Sequence, residues 1–151
     1  MNKKTALFVG RFQPLHNGHV HAIKNILKNY DRVIIAIGSV NKHDEQNPFS
    51  LVQRKKMILS VFGSQKNRIK ITGIHDYSSD EKWIKEINKH RFDAVITGNP
   101  WVRNCLKKYA PKKPVFLKRS MYNSTKIRHC MHARKEWKHL VPKEVYEIVK
   151  K

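Results

Sequence analysis

Residues 10–19 read Gly10-Arg11-Phe12-Gln13-Pro14-Leu15-His16-Asn17-Gly18-His19, directly after an apolar run, Thr5-Ala6-Leu7-Phe8-Val9. A buried strand that ends in Gly-Arg, turns through Gln-Pro and opens a helix at His-Asn-Gly-His is built to hold phosphate. The first turn of a helix leaves backbone N–H groups unpaired and carries the positive end of the helix dipole. His16 and His19, three residues apart, share one face of that turn. Gly18 between them lets a flat ring approach the backbone. Neutral or charged, each imidazole can donate to a phosphate oxygen. One histidine alone would read as a surface residue at a helix cap; two, with Arg11, Gly18 and the strand ahead, read as an anion site.

Outward from this stretch, short apolar runs at 32–37, 69–74, 93–97 and 114–117 join 5–9 as strand candidates. Between them lie helical patterns at 19–29, 52–62, 81–89 and 102–109, followed by 125–133 and 143–150. Strand and helix alternate, which predicts a parallel sheet covered on both faces. The first two strands are continuous apolar runs, as central parallel strands should be. No repeat or low-complexity linker divides the chain. The expectation is one α/β domain over 1–151: a doubly wound, Rossmann-like parallel sheet of about five strands flanked by helices, with a small helical C-terminal end. In such sheets ligands sit beyond the carboxyl ends of the strands, at the switch point. That rule gathers Gly10-Arg11, Gly38-Ser39, Gly98-Asn99 and the loop before Ser124.

A second anchor is Tyr122-Asn123-Ser124-Thr125-Lys126-Ile127-Arg128. Serine and threonine at a helix start cap it and can donate to an anion there. Arg128 returns to the side of Thr125 after nearly one turn, and its planar fork suits a bidentate phosphate grip.

Composition sets the outer bounds. The chain has 151 residues, 40% of them hydrophobic, which is one domain with an adequate core. No apolar stretch approaches 18 residues and no leader-like segment opens the chain, so a soluble, cytoplasmic protein without a membrane partner is expected. Cys105 and Cys130 suggest neither a disulfide framework nor a zinc site. Thirty-two Lys+Arg stand against 11 Asp+Glu, a formal charge of +21. Such an excess concentrates polyanions near the surface, although the basic residues are spread along the whole chain and also read as a compositional bias.

The run 10–19 resembles the signature of the nucleotidylyltransferase superfamily, in the form of archaeal-type nicotinamide mononucleotide (NMN) adenylyltransferases. Residues 122–128 resemble the superfamily's Ser-(Ser/Thr)-Thr-x-Ile-Arg motif, although archaeal relatives usually have Tyr-Ser-Gly-Thr where this chain has Tyr122-Asn123-Ser124-Thr125. Ile37-Gly38-Ser39, Asn47-Pro48-Phe49 with Arg54, Gly98-Asn99-Pro100 and Trp137-x-x-Leu140-Val141-Pro142 extend the likeness over most of the chain. The resemblance implies an ATP site formed by Gly10, Arg11, Phe12, His16, Gly18, His19, Asn99, Ser124, Thr125 and Arg128. Within it, His16, His19, Arg11 and Arg128 are the implied catalytic set. It implies an NMN site with Gly38, Ser39, Arg54, Asp80 and Trp83. An indole face suits the cationic pyridinium by roughly 0.5–2 kcal/mol, while a core tryptophan on an amphipathic helix is the other reading of Trp83. Arg54 reads equally as a solvated helix charge, and Asn99 as a turn former. Asp80 stands where relatives commonly carry asparagine.

The implied reaction is attack of the 5′-phosphate of NMN on the α-phosphorus of ATP, in line, to give NAD and pyrophosphate. That phosphate is largely ionised near neutral pH, its second pKa being about 6. Alignment and charge neutralisation then suffice, with no covalent nucleotidyl-histidine. Few carboxylates are at hand, so Mg²⁺ is expected to be carried with ATP rather than by a metal site of the chain. A homo-oligomer is implied by resemblance only. Rival readings are a superfamily member with a phosphopantetheine or polyol-phosphate acceptor, whose usual Gly-Thr-Phe-Asp is replaced here by Gly10-Arg11-Phe12-Gln13, and a basic nucleic-acid-binding module. The latter lacks clustered aromatics or a helix-turn-helix, leaving nucleic acid as a secondary, electrostatic partner.

Overall fold

The computed structural model describes residues 3–109 and 123–150. Four strands, β1 (Thr5–Gly10), β2 (Arg32–Ile37), β3 (Ile69–Gly73) and β4 (Ala94–Ile96), form one parallel sheet in the order β3-β2-β1-β4. Helices α1 (Asn17–Asn29), α2 (Leu51–Phe62), α3 (Asp80–Ile87), α4 (Pro100–Cys105), α5 (Ser124–His132) and α6 (Lys143–Val149) surround it. The sheet among the described residues therefore has four strands rather than five; the candidate at 114–117 lies outside the described residues.

Side-chain alternation divides the core in two. In β2, Val33, Ile35 and Ile37 enter one cluster with Ile23 and Ile26 of α1, Met57 and Ile58 of α2 and Val145 of α6. Ile34 and Ala36 enter the other, with Trp83 and Ile87 of α3 and Val102 of α4. A strand buried on both faces has no polar side, which is why 32–37 reads as an unbroken apolar run. β4 is shorter than its apolar run because both ends are turned by side chains. Asp93 accepts from the Thr5 amide at 2.8 Å, and Thr97 Oγ1 accepts from the Asn99 amide at 3.0 Å.

Two strands, β2 and β3, step outward from β1 on one side, and β4 lies on the other. The direction of winding reverses between β1 and β4, so their carboxyl ends part and leave a crevice. Gly10 and Thr97–Asn99 stand at its lips.

Candidate active site at the switch point

A cleft of about 830 Å³ occupies that crevice. Its floor is the start of α1. His16 is the N-cap: its Nδ1 accepts from the amides of Gly18 (3.1 Å) and His19 (3.3 Å). His19 Nδ1 accepts in return from the His16 amide at 3.1 Å. This is a reciprocal capping box with imidazoles in the places that serine and glutamate usually fill. Because both Nδ1 atoms accept, both neutral rings carry their proton on Nε2. The rings stack, with centroids 3.6 Å apart. Burial lowers His16 from 6.5 to about 4, and burial followed by the neighbouring His16 holds His19 well below its ordinary value. Near neutral pH the floor thus presents two uncharged Nε2–H donors of fixed tautomer.

Phe12 supports them from beneath. It is 1% exposed, its ring 4.6 Å from His19 and 5.8 Å from Phe8, and its φ of 53° turns the chain sharply out of β1. Gly10 makes room: a Cβ there would sit 3.0 Å from the Phe12 ring.

Three guanidinium groups, those of Arg11, Arg54 and Arg128, crowd the same end of the sheet. Arg128 is buried; it donates through one terminal nitrogen to the Gln13 carbonyl at 2.8 Å and through the other to Thr125 Oγ1 at 3.2 Å. Burial lowers its pKa, and so, next, does the charge of Arg11. Arg11 is exposed and reaches Asn47 Oδ1 at 3.4 Å. None of the three forms a salt bridge among the described residues. Cations held together without carboxylate ion pairs define a place that an anion would stabilise.

The start of α5 docks on the loop that precedes α1, through Arg128 on Gln13 and Ser124 Oγ on the Pro14 carbonyl at 3.4 Å. Two helix N-termini therefore converge on one cleft. The cap of α5 is Asn123 rather than serine or threonine: its Oδ1 accepts from the amides of Thr125 (2.8 Å) and Lys126 (3.4 Å). That leaves the Ser124 and Thr125 hydroxyls on the cleft wall. Tyr122 lies outside the described residues.

Of the residues expected to form the site, Gly10, Arg11, Phe12, His16, Gly18, His19, Gly38, Ser39, Trp83, Asn99, Ser124, Thr125 and Arg128 line the cleft. Two do not. Arg54 is neither a solvated charge nor a cleft residue: it is 1% exposed and donates to the carbonyls of Arg11 (2.8 Å), Gly38 (2.8 Å) and Ser50 (3.2 Å). It ties the ends of β1 and β2 from below. Asp80 sits outside the wall and accepts from Trp101 Nε1 at 3.1 Å. Three lining residues also carry structural work. Asn99 caps α4 through Oδ1, Ser39 donates to the Asp76 carboxylate at 3.0 Å, and Trp83, only 4% exposed, belongs mainly to the core.

Trp101 was not anticipated. It is 41% exposed and its ring lies 4.6 Å from that of Trp83, inclined by 59°. The signal was present, since a large aromatic one residue past Gly98-Asn99-Pro100 must stand beside the switch point. Asp76 was also missed; it is the one carboxylate on the cleft wall among the described residues, held by Ser39 and by Lys42 at 3.1 Å. No group of three or more His, Cys, Asp or Glu converges among the described residues. No helix of the described residues is long and apolar enough to cross a membrane.

Comparison with known proteins fits this geometry. Residues 7–148 match the family model described as cytidylyltransferase-like. The chain belongs to that family. This nucleotidyltransferase is 39% identical over 154 residues to the nicotinamide-nucleotide adenylyltransferase of Sulfurisphaera tokodaii, covering 96% of this chain and 90% of that one. It is 37% identical over 149 residues to the enzyme of the same name from Methanococcus maripaludis, covering 95% and 87%. Among solved structures, a bifunctional NMN adenylyltransferase/ADP ribose pyrophosphatase from Francisella tularensis, complexed with AMP and a manganese ion, superposes with a TM-score of 0.79 at 28% identity. The match covers 93% of this chain and 44% of that one, so this nucleotidyltransferase spans less than half of the bifunctional protein.

Proposed function

We propose that the protein is a nicotinamide-nucleotide adenylyltransferase, transferring AMP from ATP to the 5′-phosphate of NMN to give NAD and pyrophosphate. The observation that carries this reading is the convergence of two helix starts. One bears the neutral His16–His19 pair and the other Arg128, without carboxylate ion pairs between them. The relatives named for this activity support the choice of acceptor.

In this reading the triphosphate lies between the two helix starts. Arg11 and Arg128 neutralise charge that builds on the leaving pyrophosphate. The Nε2–H groups of His16 and His19 donate to phosphoryl oxygens without first shedding or taking up a proton. The NMN phosphate, already a dianion for the most part, attacks the α-phosphorus, and the bond to the β-phosphate oxygen breaks with its electron pair leaving on pyrophosphate. Preorganised donors supply the acceleration, each of the order of 10²–10³-fold. Mg²⁺ enters as MgATP, neutralising the triphosphate. The pyridinium ring of NMN rests against the indoles of Trp83 and Trp101, with Asp76 supplying a nearby negative charge.

The test is product analysis with pure protein, Mg²⁺ and ATP, offered NMN, nicotinate mononucleotide or phosphopantetheine separately. NAD and pyrophosphate from NMN are expected. Transfer only to phosphopantetheine, or to none of the three, contradicts the proposal.

A further inference from the structure

At the far end of the sheet, where the strands begin, a second cavity of about 600 Å³ opens. Among the described residues, six of its 11 lining residues are basic (Arg32, Arg68, Lys70, Lys89, His90 and Arg91) and none is acidic. The pattern of the strands puts them there. Ile34 of β2 points into the Trp83 cluster, and Arg32, two residues earlier, falls on the same face. Lys70 is the register partner of Ile34 and shares that face. α3 covers this face with Trp83 and Ile87, and the chain leaving it carries Lys89-His90-Arg91 back over the strand ends.

Not all six charges are available. Arg68 donates to the carbonyls of Leu27, Tyr30 and Asp31 and so closes the end of α1. Lys89 pairs with Glu86 at 2.8 Å. Asp31 and Asp93, at the same end of the sheet, accept from the amides of Lys4 and Thr5. Arg32, Lys70 and Arg91 make no salt bridge among the described residues. The His90 ring is held below its ordinary value first by burial and then by the charge of Lys70, which marks a positive field inside the cavity. Among the described residues the lining offers no Phe, Tyr or Trp face on which a base could stack, and the one aromatic ring is that of His90. Guanidinium forks and a lysine suit phosphate oxygens.

We propose that this cavity is a second anion site, separate from the catalytic cleft, that takes a linear chain of three or more phosphates on Arg32, Lys70 and Arg91. The chemistry is shared by free inorganic oligophosphate and by the tail of a nucleoside triphosphate. The site does not depend on the identity of the acceptor at the catalytic cleft.

The experiment follows the His90 ring resonances by NMR while tripolyphosphate, GTP or a short single-stranded RNA is added at fixed salt. Three proteins are compared: the wild type, the triple variant Arg32→Gln/Lys70→Gln/Arg91→Gln, and a control that loses three exposed lysines elsewhere, Lys56→Gln/Lys135→Gln/Lys143→Gln. Melting temperature and adenylyl transfer, expected within about twofold of wild type in both variants, report an intact fold. Tripolyphosphate should raise the His90 titration midpoint and bind the wild type and control alike. Affinity should fall at least tenfold in the triple variant. Equal binding of GTP assigns recognition to the phosphates, and tighter binding of GTP names a nucleotide as the source. Equal weakening in both variants shows a diffuse field and overturns the proposal, as does an unmoved His90 resonance. Response to RNA without response to tripolyphosphate assigns the surface to nucleic acid and overturns it too.

Discussion

The His16–His19 box joins two duties that proteins usually give to different residues: ending a helix, and meeting a ligand. Because Nδ1 of each ring accepts from the backbone, a proton added to either ring breaks the cap. The consequence is a definite pH dependence. An unfolded chain protonates His16 near 6.5, the folded ring only near 4. Its contribution is therefore complete above pH 6.5 and is lost as pH falls from 6.5 towards 4, amounting to about 3 kcal/mol. Urea unfolding at a series of pH values should show this loss in the wild type and a shallower slope in His16→Asn, where asparagine keeps a cap without titrating. Identical slopes contradict the burial of this ring. His19→Ala should lower kcat by roughly 10²–10³-fold while circular dichroism stays that of the folded protein. Near-normal turnover removes His19 from the chemistry.

Residues also show where sequence reading stops. His16, His19 and Arg11 were legible because their spacing has a direct geometric meaning next to a strand end. Arg54 was not, since helical periodicity shows that it lies near a buried face and not that its guanidinium finds three carbonyls there. Arg54→Met should cost roughly 2–4 kcal/mol in urea titrations by orphaning those carbonyls, with activity lost through stability rather than through an altered KM. The indoles were half legible. Trp83 was singled out, yet most of it is core, and Trp101 is the exposed partner. Trp101→Ala should therefore raise KM for NMN several-fold with little change in KM for ATP, measured by steady-state NAD formation.

At the level of elements, hydrophobic periodicity located the six α-helices of the described residues, and the remaining error is at their ends. α1 begins two residues before its apolar pattern because His16 supplies the cap, and α5 begins at Ser124 because Asn123 does. Caps act through hydrogen bonds that a hydrophobic pattern does not encode. Asn123→Ala should cost about 1 kcal/mol of stability and reduce kcat, because α5 carries Arg128; Asn123→Ser should restore both. Scanning calorimetry with parallel activity assays separates these outcomes. At the end of β3 a Cβ on Gly73 would lie 2.8 Å from Leu51 and 2.9 Å from Val40, a close approach that only a folded structure reveals.

For the molecule as a whole, alternation of strands and helices was enough to imply a doubly wound sheet with its site beyond the strand ends. The order β3-β2-β1-β4 then concentrates Gly10, Gly38 and Asn99 around one crevice, although they are far apart in the chain. The formal charge of +21 acquires structure as well: only three salt bridges form among the described residues, and unpaired cations collect at both ends of the sheet. The account rests on a polyphosphate held between the starts of α1 and α5. A crystal structure of the protein with a non-hydrolysable ATP analogue tests this most directly. It should show the phosphates within hydrogen-bond distance of the Nε2 atoms of His16 and His19 on one side and of Arg128 on the other. Phosphates bound elsewhere, with both imidazoles turned from them, would contradict it.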